Sequence, residues 1–141
     1  MQNNPGPDRL VIASDMVHLP EVEAFITSLC KKAGLNEDKS DNMAIAITEM
    51  VNNAILHGNK QDVKKMVTVD VAYFSDHVQV SIQDEGDGFN PDDVEDPLEP
   101  KNLWKQSGRG IFLVREFVHS VEFHPSEKGT KVVLTEYITP S

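Results

Sequence analysis

The 141-residue sequence predicts an α+β fold, a two-layer sandwich with helices on one face of a mostly antiparallel mixed sheet. Two observations indicate this class. Two neighbouring stretches carry apolar residues at helical spacing, whereas most later apolar residues alternate with polar ones, as in strands. Helices and strands are thus partly segregated along the chain. The predicted order is a strand, two helices, two strands, a long loop, a helix and two strands.

The helical part follows a short apolar run, residues 10–13, which is predicted to be the first strand. Pro20 suits the first turn of a helix that ends at Gly34. The apolar residues of this helix are Val22, Phe25, Ile26 and Leu29. A longer helix ends near Gly58 and Asn59, and its apolar stripe comprises Met43, Ala44, Ile47, Met50, Val51, Ala54 and Ile55.

The strands are predicted from alternating apolar residues and short turns. Residues 67–74 and 78–83 alternate around a brief connection, which favours a hairpin. Residues 84–107 are rich in proline and acidic residues and have little periodicity, and a loop of this length is usually functional. Residues 111–119 are predicted as a helix. Residues 120–137 close the chain as a second hairpin around Lys128-Gly129.

Composition limits the classes of function. The net charge of −10 argues against a sequence-independent grip on nucleic acid and against docking to anionic lipid. No apolar run approaches the roughly 20 residues that span a bilayer. The single cysteine, Cys30, excludes an internal disulfide, fits a cytoplasmic location and is predicted to be buried. Residues 1–9 are expected to form a flexible tail, and residues 10–141 a single domain.

Polar residues on the second helix form the first candidate functional group. Glu49 and Asn53 are four residues apart and therefore project from the same face, with Asn52 close to that face. A carboxylate and a carboxamide at the edge of an apolar stripe are well placed to face a cleft. The amide oxygen suits Mg²⁺ beside nucleotide phosphates, and the carboxylate suits the orientation or deprotonation of a hydroxyl.

Two glycine-containing loops form the rest of the candidate site. Asp84 directly follows a strand, where it can accept a hydrogen bond from an exocyclic amine such as that of adenine. Gly86 and Gly88 allow the backbone to approach a ligand closely. Ser107-Gly108-Arg109-Gly110 directly precedes a predicted helix, whose first N–H groups and dipole suit phosphates.

Taken together, these motifs resemble those of the gyrase, histidine kinase and MutL ATPase superfamily, which shares the Bergerat ATP-binding fold. Glu49, Asn53-Ala54 and His57-Gly58 resemble its first box, residues 84–89 its second and residues 107–110 its third. Within the superfamily, the chain is similar to the bacterial anti-sigma factor serine-protein kinases, over roughly residues 10–137. The sensor histidine kinases usually have asparagine where Glu49 stands here.

The resemblance implies a role for each candidate residue. Glu49 would be the general base toward a serine of a partner protein, Asn53 would ligate Mg²⁺, and Asp84 would recognise the adenine amine. Five further residues would shape the pocket and hold the phosphates of ATP or ADP: Gly86, Gly88, Gly108, Arg109 and Gly110. The ATP lid would lie at about residues 90–107.

The implied function is an ATP-dependent serine-protein kinase that phosphorylates an anti-anti-sigma-type partner and sequesters a sigma factor. The resemblance is also compatible with a homodimer. Many members of the kinase family have arginine where this chain has Gln106. Two alternatives therefore stay open: a nucleotide-gated partner-binding module without phosphotransfer, and an ATPase without a protein partner.

Overall fold

A computed structural model describes residues 8–86, 114–126 and 128–138 of the chain. The two long helices are α1, Leu19–Ala33, and α2, Glu37–Asn53. The strands are β1, Asp8–Ala13; β2, Met66–Tyr73; β3, His77–Gln83; β4, Ser120–Ser126; and β5, Gly129–Tyr137. A short 3₁₀ helix, Met16–His18, precedes α1, and residues 114–117 are helical.

Within the described residues, five strands form one open sheet in the order β1-β2-β3-β5-β4, and every neighbouring pair is antiparallel. The register aligns buried residues across the strands, since Val80 pairs with both Val71 and Leu134. Side chains therefore alternate between an apolar and a polar face. The predicted α+β class and the antiparallel sheet are confirmed, and all the described pairings are antiparallel.

The core lies between the apolar face of the sheet and the helices. α2 contacts β3 and β5, and α1 packs against α2. The buried residues of α2 are Met43, Ala46, Ile47, Met50 and Val51. Each large side chain in such a core contributes roughly 1.5–3 kcal/mol by leaving water. This packing fixes α2 on the sheet and so sets where its polar face lies.

Local sequence signals explain where the two helices meet. Gly34 ends α1 in the left-handed conformation, with φ of 77°, and its N–H donates to the carbonyls of Cys30 and Lys31. The side chain of Asn36 then caps α2 by accepting from the N–H of Lys39 at 2.8 Å. A connection of three residues therefore turns the chain between the helices.

β1 begins at Asp8, two residues before the predicted start of the first strand at Leu10. Tertiary contacts explain the difference. The carboxylate of Asp8 accepts hydrogen bonds from Tyr73 Oη at 2.7 Å and from Lys32 Nζ at 3.0 Å. Arg9 forms an ion pair with Asp70 on the neighbouring strand. All three contacts join residues that are distant in the sequence, so local patterns gave no sign of them.

The outcome of four other predictions depends on which residues the structure describes. Cys30 is buried and has a free thiol, as predicted. Across the described ranges, no helix is long and apolar enough to cross a membrane. The predicted lid, residues 90–107, lies outside the described residues, as do the first three residues of the helix predicted at 111–119.

Candidate functional site

Asp84 directly follows β3 and is buried, with 8% of its surface exposed. One carboxylate oxygen, Oδ1, accepts from the backbone N–H groups of Gly86 and Thr130, each at 3.0 Å. The backbone N–H of Asp84 donates in turn to the carbonyl of Thr130. No described group donates a hydrogen bond to the other oxygen, Oδ2. Asp84 is therefore held firmly through one oxygen, and the second has no donor among the described residues.

Glycines surround this carboxylate so closely that no side chain fits in their place. A Cβ on Gly58 would lie 2.2 Å from Oδ2 of Asp84, and one on Gly86 would lie 2.2 Å from the carbonyl oxygen of Gly58. A Cβ on Gly129 would lie 2.3 Å from the carbonyl oxygen of Asp84. The end of the α2 region, the loop after β3 and the start of β5 thus meet backbone to backbone around Asp84.

Burial raises the pKa of the Asp84 carboxyl, and the hydrogen bonds from Gly86 and Thr130 oppose this effect. The folded chain therefore retains a proton on Asp84 at pH values where the unfolded chain has lost it. The contribution of this group to the free energy of unfolding therefore falls as pH rises from the ordinary pKa of 3.8 through the raised pKa. Above the raised pKa the cost of burying the charge is fully present.

We accordingly expect Asp84→Asn, which cannot ionise, to gain stability relative to the wild type as pH rises. The difference in free energy of unfolding should increase as pH rises from 3.8 through the raised pKa of Asp84 and then level off. Urea titrations at a series of pH values measure it. A difference that does not change with pH would contradict the assignment of a raised pKa.

The polar face of α2 carries Glu49, Asn52 and Asn53, all partly buried. Nδ2 of Asn53 and Oδ1 of Asn52 are buried and have no hydrogen-bond partner within the described part of the chain. An unpaired buried polar group costs about 1–3 kcal/mol, so such atoms are normally satisfied by a ligand or water. The two amides are thus suited to a polar ligand, and Glu49 lies one turn away.

α2 leads directly to the Asp84 pocket. It continues as a π-helix, Ala54–Gly58, a form that occurs often at functional sites. At about 1.5 Å per residue, Asn53 lies roughly 7 Å and Glu49 roughly 13 Å before Gly58 along the helix. Starting from Gly58 and moving back along the helix, the site therefore presents first a buried carboxylate acceptor, then a carboxamide and then a second carboxylate.

Sequence reasoning missed three contributors to this site. Gly58 was assigned to the first box without a role, and Gly129 and Thr130 were assigned only to a hairpin. The structure places all three against Asp84. Four predicted site residues lie outside the described residues: Gly88, Gly108, Arg109 and Gly110.

The fold and this arrangement define a domain of the ATPase class. The family model described as the histidine kinase-like ATPase domain matches residues 12–136. The chain therefore belongs to that family, and the predicted superfamily is confirmed. The family implies the use of a nucleotide. This agrees with a buried acceptor beside glycines and with one amide atom each of Asn52 and Asn53 that no described residue pairs.

Relatives carry the names that the resemblance implied. The chain is 23% identical to the serine-protein kinase RsbW of Bacillus subtilis, over 98% of this chain and 89% of the relative. It is 31% identical to the anti-sigma F factor of Clostridium perfringens, over 80% of each protein. The predicted kinship with anti-sigma factor serine kinases is thereby confirmed.

Solved structures agree on the fold. The RsbU and RsbW domains of Rv1364c from Mycobacterium tuberculosis match 96% of this chain, with a TM-score of 0.69 at 20% identity. This chain spans 33% of that protein. The mycobacterial sensor histidine kinase MprB matches 95% of this chain, with a TM-score of 0.57 at 15% identity. At these identities the likeness establishes the architecture only.

Proposed function

We propose that the chain is an ATP-dependent serine-protein kinase that phosphorylates an anti-anti-sigma-type protein and sequesters a sigma factor. The observation that carries this proposal is the buried carboxylate of Asp84. Its Oδ1 is engaged by two backbone donors, and Oδ2 receives no hydrogen bond from the described residues. This geometry supports recognition of the exocyclic amine of adenine by Oδ2. The names of the relatives support the reaction and the partners.

The polar face of α2 supports the reacting end of the site. An ATP whose adenine lies at Asp84 would extend its phosphates along α2 past Asn53 toward Glu49. The carboxamide of Asn53 would hold Mg²⁺, which neutralises phosphate charge when bound. The unpaired amide atoms of Asn52 and Asn53 are consistent with such a polar ligand.

Glu49 is proposed as the general base. The hydroxyl oxygen of the partner's serine forms a bond to the γ-phosphorus, and the bond from that phosphorus to the β,γ-bridging oxygen breaks. The hydroxyl proton passes to the Glu49 carboxylate, and ADP leaves with the bridging oxygen. Glycines 86, 88, 108 and 110 and Arg109 are proposed to shape the pocket and hold the phosphates.

The protein's charge bears on its partners and surroundings. A net charge of −10 favours a partner surface that is basic, and it disfavours direct contact with nucleic acid or an anionic membrane. We propose that the protein acts in the cytoplasm, where its buried free thiol is stable. A homodimer belongs to the same proposal.

Transfer of radiolabelled γ-phosphate tests the reaction. Proteins retained by the immobilised chain in the presence of Mg-ADP are incubated with the chain and labelled Mg-ATP. The proposal predicts stoichiometric label on one serine of a small retained protein, and label that accumulates at least ~100-fold more slowly when Glu49→Gln replaces the wild type. Label that appears on histidine, or equally with both chains, would contradict the proposal.

A second candidate function is a nucleotide-gated binding module without phosphotransfer. It is favoured by Gln106, which stands where many kinases of this family have arginine. A neutral amide cannot provide the planar, charged fork that arginine presents to a phosphate. This alternative predicts nucleotide-dependent capture of the same partner but no label on it.

A further inference from the structure

Asn59, which follows the π-helix, is the centre of a buried hydrogen-bond network. Only 1% of its surface is exposed. Its Nδ2 donates to Ser14 Oγ at 2.7 Å and to the carbonyl oxygen of Met66 at 3.0 Å. Its Oδ1 accepts from the backbone N–H of Glu85 at 2.8 Å. One side chain thus joins the end of β1, the start of β2 and the loop after β3.

The partners of Asn59 fix the orientation of its amide. A carbonyl oxygen can only accept, so the nitrogen must face Met66, and a backbone N–H can only donate, so the oxygen must face Glu85. The hydroxyl of Ser14 accepts from Asn59 and donates its own proton to the carbonyl of Lys65 at 2.7 Å. The network therefore has one consistent arrangement.

This network restrains both sides of the Asp84 carboxylate. On one side, Asn59 holds the peptide group that joins Asp84 to Glu85. On the other, it immediately follows Gly58, whose Cα lies against Oδ2 of Asp84. The backbone N–H of Asn59 donates to the carbonyl of Ala54 and so closes the π-helix. A shift of this side chain would therefore change the space beside Oδ2.

We infer that Asn59 is a positioning residue that sets the selectivity of the site for the exocyclic amine of adenine. It touches no ligand in this account and acts through Gly58 and the Asp84–Glu85 peptide. The inference rests on the proposed function, because it assigns the amine to Oδ2 of Asp84. Its role differs from that of Asn36, which caps the start of α2 and does not face the site.

The test compares Mg-ATP with Mg-purine riboside triphosphate, in which hydrogen replaces the amine. A hydrogen bond to a charged group raises affinity by roughly 10- to 100-fold. We therefore expect the wild type to bind Mg-ATP more tightly than Mg-purine riboside triphosphate by that factor. Asn59→Ala should lower that preference to about threefold or less, mainly by weakening ATP. Titration calorimetry well below the melting temperature measures both affinities.

Asn36→Ala is the matched control, since it also removes a side-chain amide that bonds to a backbone N–H, but at the start of α2. It should lower the melting temperature and leave the preference unchanged. If Asn59→Ala behaves in the same way, its role is only structural and the inference is wrong. If the wild type itself shows no preference for ATP, it is the proposed function that fails.

Hydrogen exchange in the wild type provides a second measurement, which holds even if Asn59→Ala does not fold. The backbone N–H of Glu85 has a buried acceptor, so it should exchange at least ~100-fold more slowly than in an unstructured peptide. Exchange at the unstructured rate would show that Asn59 does not restrain this peptide, and would overturn the inference.

Discussion

Replacement of Glu49 by glutamine is expected to slow phosphate transfer to the partner's serine by about 10²- to 10⁴-fold, the usual contribution of a general base. Glutamine keeps the size of the side chain and loses only its ability to take the hydroxyl proton. The affinity for Mg-ATP should change by less than about threefold, because Glu49 acts on the hydroxyl and not on adenine. Single-turnover transfer from labelled ATP and calorimetric titration measure the two quantities separately.

Glu37→Gln is the matched control for this substitution. Glu37 is an exposed carboxylate in the first turn of the same helix, three turns before Glu49. Its loss should leave both transfer and nucleotide affinity at the wild-type level. Transfer by Glu49→Gln at the wild-type rate would show that another group takes the proton, and the assignment of the base would be wrong.

The second large effect is expected from Gly58→Ala. Alanine is usually favoured over glycine in a helix by roughly 0.5–1 kcal/mol, so an unobstructed site would be stabilised. Here the new Cβ would lie 2.2 Å from Oδ2 and 2.5 Å from Cγ of Asp84. The carboxyl group or the Gly58 backbone must therefore shift, and we expect this to weaken the hydrogen bonds that Oδ1 accepts from Gly86 and Thr130. We expect the free energy of unfolding to fall by about 1–3 kcal/mol and Mg-ATP affinity to fall at least ~10-fold.

Gly34→Ala separates loss of stability from loss of the site. A Cβ at Gly34 meets nothing within 4 Å, but its φ of 77° is unfavourable for alanine. This control should therefore lose about 1–2 kcal/mol of stability and keep its affinity for Mg-ATP. A Gly58→Ala chain that is as stable as the wild type and binds Mg-ATP normally would contradict the described contact with Asp84.

Most of the fold was predictable from local patterns. The apolar stripe of α2 and the alternating valines of β2 have periods that only a helix and a strand satisfy. The π-helix at Ala54–Gly58 was not predictable, because a few residues of altered hydrogen bonding do not change the apolar spacing enough to be noticed. The true start of β1 depends on contacts with Tyr73 and Lys32, which belong to other elements.

A site residue was predictable where its side-chain chemistry and its place in one helix or strand follow from the neighbouring sequence. Asp84 after a strand and Glu49 and Asn53 on one helical face are of this kind, and their roles stay predictions. The contributions of Gly129 and Thr130 depend on the pairing of β3 with β5, two strands that are not consecutive in the chain. The role of Asn59 depends on three distant segments and was concealed by its position at the end of a helix.

The proposed function depends most on recognition of adenine by Oδ2 of Asp84, the oxygen that receives no hydrogen bond from the described residues. The most direct test is a calorimetric titration of the wild-type chain with Mg-ATP and with Mg-purine riboside triphosphate. Because only the amine differs, the account predicts that ATP binds roughly 10- to 100-fold more tightly. Equal affinities, or no binding of Mg-ATP at all, would contradict it.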